Sequence, residues 1–118
     1  MKFLSFFLAS IITLSVSAKI QHAELETRHA DLVEKSLTKA CGNFRNLEVL
    51  SVETEIIRVD QGITDRNYKI TLTGEQRMDQ NIFDTYVISV ESSYYDMYDH
   101  ENKDWGAYSV KSVKCEMQ

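Results

Sequence analysis

Two cysteines, three histidines and one acidic, aromatic stretch are the residues whose types and spacing could carry chemistry. Cys41 and Cys115 are the only cysteines. A catalytic thiol needs a neighbouring base, and His22, His29 and His100 sit in no supporting motif. A structural zinc site needs more ligands than these. The start of the chain favours a third chemistry. Lys2 precedes an apolar run, Phe3 to Val16, broken only by Ser5, Ser10, Thr13 and Ser15, and Val16-Ser17-Ala18 offers small residues for cleavage. Residues 1–18 therefore read as an export signal, shorter than the roughly 20 apolar residues of a membrane helix. Two cysteines in a secreted, extracellular chain can pair in one intramolecular way. The expectation is a Cys41–Cys115 disulfide closing a loop of about 75 residues, which contributes roughly 4 kcal/mol in the chain-entropy model.

The acidic stretch holds Asp96, Asp99, His100, Glu101 and Asp104. Carboxylates so grouped could bind Ca²⁺, but they lack the alternation and turn glycine of an EF-hand. They read as a solvated loop, and no metal or cofactor is expected. Tyr94, Tyr95 and Tyr98 lie among these acids, a setting for sulfation or for contact with a partner. The simpler reading is that Tyr94 and Tyr95 finish a strand and pack partly on a sheet. Trp105, within Asn102-Lys103-Asp104-Trp105-Gly106, reads as an exposed turn residue. With 18 acids, many acid–base pairs are conceivable and none is singled out, so no catalytic residue is assigned and the chain is not read as an enzyme.

Charge and punctuation exclude other classes. Without residues 1–18 the chain runs from Lys19 with 12 basic against 18 acidic residues, a net charge of −6. No basic run is present, so nucleic acid is a poor partner. The four glycines are scattered and make no phosphate loop, no later segment is apolar enough for a bilayer, and proline is absent. No Asn-x-Ser/Thr site occurs.

The elements that must position these residues follow from periodicity. Leu25, Leu32, Leu37 and Ala40, widened by Val33, recur near the helical period and predict an amphipathic helix over 22–41. His22 and His29 fall to its solvated side, and Gly42 is placed to end it. The period then becomes two. Leu50, Val52, Thr54 and Ile56 alternate with polar residues, and Ile57 and Val59 continue on the other parity, which predicts a bulge or bend. Further strands are expected at Tyr68 to Thr73, Tyr86 to Val90 and Tyr108 to Val113. The connections are 60–66, 75–81 and 92–106. Strands joined locally form an antiparallel meander. The fold class is α+β: one N-terminal α-helix packed on a four-stranded antiparallel sheet, a single domain over 19–118.

Two stretches of text sharpen this. One is Gln61-Gly62-Ile63-Thr64-Asp65, followed by Asn67-Tyr68. The other is Asp104-Trp105, followed by a short strand and Cys115. In this order, after one helix, they resemble the cystatin family, whose first hairpin carries Gln-x-Val-x-Gly ahead of Asn-Tyr and whose second carries Pro-Trp. Glu34 to Lys39 resembles the helix text of insect-type cystatins. Asp65 stands where the family has glycine, Asp104 where it has proline, and Lys19 to Glu26 holds no glycine. A second register, Arg58 to Gly62, keeps the glycine but loses the glutamine. The first keeps Asn67-Tyr68 in step and is preferred. The resemblance implies a monomeric, reversible inhibitor of papain-like cysteine proteases. Two hairpin loops would block the cleft, with Gln61, Gly62, Ile63, Thr64, Asp65, Asp104 and Trp105 as protease-binding residues. The competing expectation is a non-inhibitory binding module of the same fold, using the acidic aromatic loop 92–106.

Overall fold

The structure, a computed structural model, describes residues 20–118; the expected export signal lies outside the described residues. One helix, α1 (Thr27–Cys41), precedes four strands, β1 (Arg45–Asp60), β2 (Ile63–Asp79), β3 (Ile82–Asp99) and β4 (Asp104–Met117). The strands form one antiparallel sheet in the order β1-β2-β3-β4. The α+β expectation therefore holds, with the helix laid on one sheet face.

The core is the apolar stripe of α1 against the facing residues of the sheet. Ala30, Val33 and Leu37 meet Tyr68, Ile70, Leu72, Ile88 and Val90, all buried, with Ile20, Leu25 and Phe44 sealing the margins. Cys41 and Cys115 are bonded, with Cα atoms 6.6 Å apart. The bond ties the helix C-terminus to β4. Gly42 ends the helix at φ 91°, its N–H donating to the Thr38 carbonyl at 2.9 Å, a left-handed exit that glycine makes without a Cβ penalty.

The helix starts five residues later than its periodicity suggests. His22 is the reason: its carbonyl accepts the Leu25 N–H at 3.0 Å and its Nδ1 accepts the Glu24 N–H at 3.1 Å. That closes a separate turn, which buries Leu25 before the helix begins. The buried stripe also differs. Leu32 is only half-buried and Ala40 is exposed, whereas His29 is 1% exposed. The solvated placement expected for His29 is thus corrected.

The strands are far longer than their apolar cores suggest. The expected connections 60–66, 75–81 and 92–106 are mostly strand, and the true turns are short, with Asp60 pairing Ile63, Asp79 pairing Ile82 and Asp99 pairing Asp104. These segments are polar because much of their length has no helix over it, and water tolerates polar side chains on an uncovered antiparallel face. The parity switch does mark an irregularity: the β1–β2 register slips between Ile56 and Arg58.

Candidate functional site

The meander brings two of its three turns to one end. Asp60 and Ile63 flank the first tip, in which Gln61 and Gly62 both have positive φ, 53° and 86°. Two central residues of that kind make the type I′ turn whose twist matches a hairpin. His100 to Lys103 form the second tip, with Lys103 at φ 55°. Asp99 organises it, accepting the Glu101 and Asn102 backbone N–H groups at 3.0 and 3.3 Å and the Asn102 side-chain amide at 2.6 Å. The Asn102 amide is the largest influence holding the Asp99 carboxyl below its usual range. Arg66 pairs with Tyr94 across β2 and β3. Continued outward, that register sets Gly62 level with Tyr98, so the tips stand at similar height.

The helix enters at this same end. Glu26, just before α1, accepts the Tyr108 hydroxyl at 2.8 Å. Arg28 donates to the carbonyls of Trp105 and Gly106 at 3.2 and 3.0 Å. Gly106 has φ 99°, and a Cβ there would lie 2.7 Å from the Tyr94 ring, so both conformation and space require glycine.

Around the tips, apolar side chains face water. Ile56, Ile57 and Val59 on the first hairpin are exposed, as are Met97, Tyr98 and Trp105 on the second, with Trp105 56% exposed. Burying an exposed aromatic side chain in a partner's pocket is a common source of a contact hot spot.

The residues singled out from sequence separate into two groups. Gln61 and Gly62 form the first tip, and Asp104 and Trp105 are exposed at the base of the second. Ile63 and Thr64 open β2, paired with Asp60 and Val59. Asp65 behaves otherwise. It is 7% exposed and lies within β2; one carboxylate oxygen takes the Arg58 guanidinium at 3.2 Å and the other accepts the Asp96 backbone N–H at 3.1 Å. Its φ is not positive, so the residue carries no left-handed strain. Asp104 accepts the Trp105 backbone N–H at 2.7 Å, and the Trp105 indole N–H donates to Asp96. Sequence reasoning gave no role to Arg58 or Arg28, and it read Asp96 as part of a solvated loop. Arg58 and Asp65 are direct cross-strand partners, a charge pair flanking a turn that could have been found. No local signal marks Arg28.

Behind the tips lies a buried polar cluster. His29 Nε2 is 2.7 Å from the Ser92 hydroxyl. Its ring stacks on Tyr108, centroids 4.4 Å apart, and meets Tyr68 edge-on at 4.6 Å. Burial lowers the His29 pKa to about 4; Glu26 opposes the shift and Arg66 reinforces it. Burial likewise raises the hydroxyl pKa of Tyr68 and, helped by the Glu26 hydrogen bond, that of Tyr108. The His29–Ser92 pair has the composition of a base and a nucleophile. Both residues are about 1% exposed, and their hydrogen bond ties α1 to β3 inside the fold.

Among the described residues no three His, Cys, Asp or Glu side chains converge as metal ligands, and no helix is long and apolar enough to cross a membrane. Compared with protein-family models, curated proteins and solved structures, the chain matches none.

Proposed function

We propose that the chain is a secreted, cystatin-like reversible inhibitor of papain-like cysteine proteases, working as a monomer through the two-tip end of its sheet. The observation that carries this reading is the alignment of both tips and the helix entry at one end, with Ile56, Ile57, Val59, Tyr98 and Trp105 exposed there. A cleft-blocking surface needs apolar anchors on supports that lose little freedom on docking. Hairpin tips on long paired strands supply that. Gln61, Gly62 and Trp105 make the contact in this reading, and Asp65 supports it from within. The Cys41–Cys115 bond suits an oxidising, extracellular setting.

Titration of papain with the protein starting at Lys19 tests this. Stoichiometric, reversible inhibition is expected. Trp105→Ala should raise the inhibition constant by about 30-fold, the equivalent of ~2 kcal/mol for a buried aromatic anchor. No inhibition at micromolar concentration overturns the reading. The second reading, a non-inhibitory module, then gains weight from the exposed acids Asp60, Glu101 and Asp104 around the apolar tips. Such a rim favours a basic partner surface.

A further inference from the structure

We propose that Asp96 and Asp65 are positioning residues that fix the Trp105 indole relative to the first hairpin, so that the two tips form one prebuilt contact face. The functional consequence rests on the inhibitor reading; the positioning itself does not.

An indole exposed to the extent of Trp105 would ordinarily sample several rotamers. Here one hydrogen bond holds the indole itself and two more hold the backbone that carries it. The indole N–H donates to Asp96 on β3. The backbone N–H donates to Asp104 at 2.7 Å, and the carbonyl accepts Arg28 of α1 at 3.2 Å. Asp96 is itself held, because its backbone N–H donates to Asp65 of β2 at 3.1 Å. Asp65 in turn pairs with Arg58 of β1 at 3.2 Å. A continuous polar path thus runs from the first hairpin to the indole.

An irregularity makes the path possible. The β3–β4 pairing slips between Tyr95 and Tyr98, so Asp96 has no partner in the ladder. Its N–H is free for Asp65 and its carboxylate swings to the indole, the kind of re-aiming that bulges provide. The near-complete burial of Asp65 adds weight. Exposed ion pairs contribute little, but a buried carboxylate with both oxygens engaged is fixed in place, because losing either partner leaves a desolvated charge. The rotamer freedom of Trp105 is therefore given up on folding and not again on docking.

Trp105 is the chain's only tryptophan, so its fluorescence anisotropy decay reads indole motion directly in the intact, disulfide-bonded protein. Asp96→Ala removes the acceptor; Asp96→Asn keeps a carbonyl that can accept the indole N–H. The expected result is a new fast depolarising component in Asp96→Ala, its absence in Asp96→Asn, and an unchanged far-ultraviolet circular dichroism spectrum in both. Papain inhibition should weaken about tenfold in Asp96→Ala and recover in Asp96→Asn. Asp65→Asn, which weakens the pull on the Asp96 backbone, should give an intermediate anisotropy. Asp65 is buried and this variant could fold poorly, so the Asp96 pair carries the decision. An indole equally immobile in Asp96→Ala and the parent overturns the positioning, whether or not papain is inhibited. A mobile indole in Asp96→Ala with a parent that never inhibits papain upholds the positioning and removes the inhibitor reading instead.

Discussion

The half of the sheet beneath α1 and the half that projects beyond it are built from the same strands but ordered by different forces. A helix of 15 residues spans roughly 22 Å. Strands of 14 to 18 residues span roughly 46 to 60 Å, and the molecule is 58 Å in its longest dimension. The helix therefore covers less than half the sheet's length. Beneath it, Ile70, Leu72, Ile88 and Val90 are buried against Val33 and Leu37. Beyond it, every β1 residue from Glu53 to Asp60 is exposed. Apolar burial orders the first half. The second is ordered by ladder hydrogen bonds, by turn residues at positive φ, and by polar ties such as Arg58–Asp65. An isoleucine at 70 is there to be hidden from water, whereas one at 56 is displayed to it.

The sharpest way to break this contrast is to truncate matched side chains in the two halves. Leu37→Ala should lower the unfolding free energy by about 2–5 kcal/mol, the usual cost of emptying a fully packed leucine site. Ile56→Ala should change it by no more than about 0.5 kcal/mol. Urea midpoints at constant m-value compare them; similar losses at both sites would end the distinction.

A smaller effect comes from the boundary between the halves, where His29 is buried. Its pKa is about 4 in the folded chain against 6.5 when exposed. The unfolded state thus binds the proton more readily. The stability from keeping the ring neutral is complete above pH 6.5 and is lost as pH falls through about 4. The loss should be on the order of 3 kcal/mol. Unfolding measured across that window should show a slope that His29→Phe flattens; an unchanged slope would place the acid sensitivity elsewhere.

The smallest stability effect belongs to the overhang. Ile56→Ser with Val59→Ser should leave the unfolding midpoint within about 0.5 kcal/mol of the parent while weakening papain inhibition by tenfold or more, through lost apolar contact. Equal losses in both measurements would mean that these side chains serve the fold and not a partner.

The same contrast explains what could be read in the sequence. The covered half was legible: the helix, the period-two runs and the two lone cysteines each reflect burial or a covalent link. The overhang was not. Its strands carry Glu53, Glu55, Arg66 and Asp96 where a buried strand would carry apolar residues, so periodicity ends before the strands do. His29 was misplaced because a histidine on a helix gives no sign of the Ser92 hydroxyl waiting for it on a distant strand. Asp65 was taken for a loop residue because it falls in the polar stretch 60–66, where the resembling family has a hairpin glycine. Its partners, the Arg58 guanidinium and the Asp96 backbone N–H, lie on neighbouring strands and leave no local trace in the sequence.

The disulfide sets how the helix can move. It fastens α1 at its C-terminal end alone, next to Cys115, while the other end is held by Arg28, by Glu26 with Tyr108 and by His29 with Ser92. Protonating His29 puts a charge in a buried site and so weakens this end of the helix. A helix loosened there would pivot about a covalent mooring and would not leave the sheet. Its reclosure is then unimolecular, driven by a high effective concentration, so brief exposure to acid should be a reversible excursion and not a first step to loss of the fold.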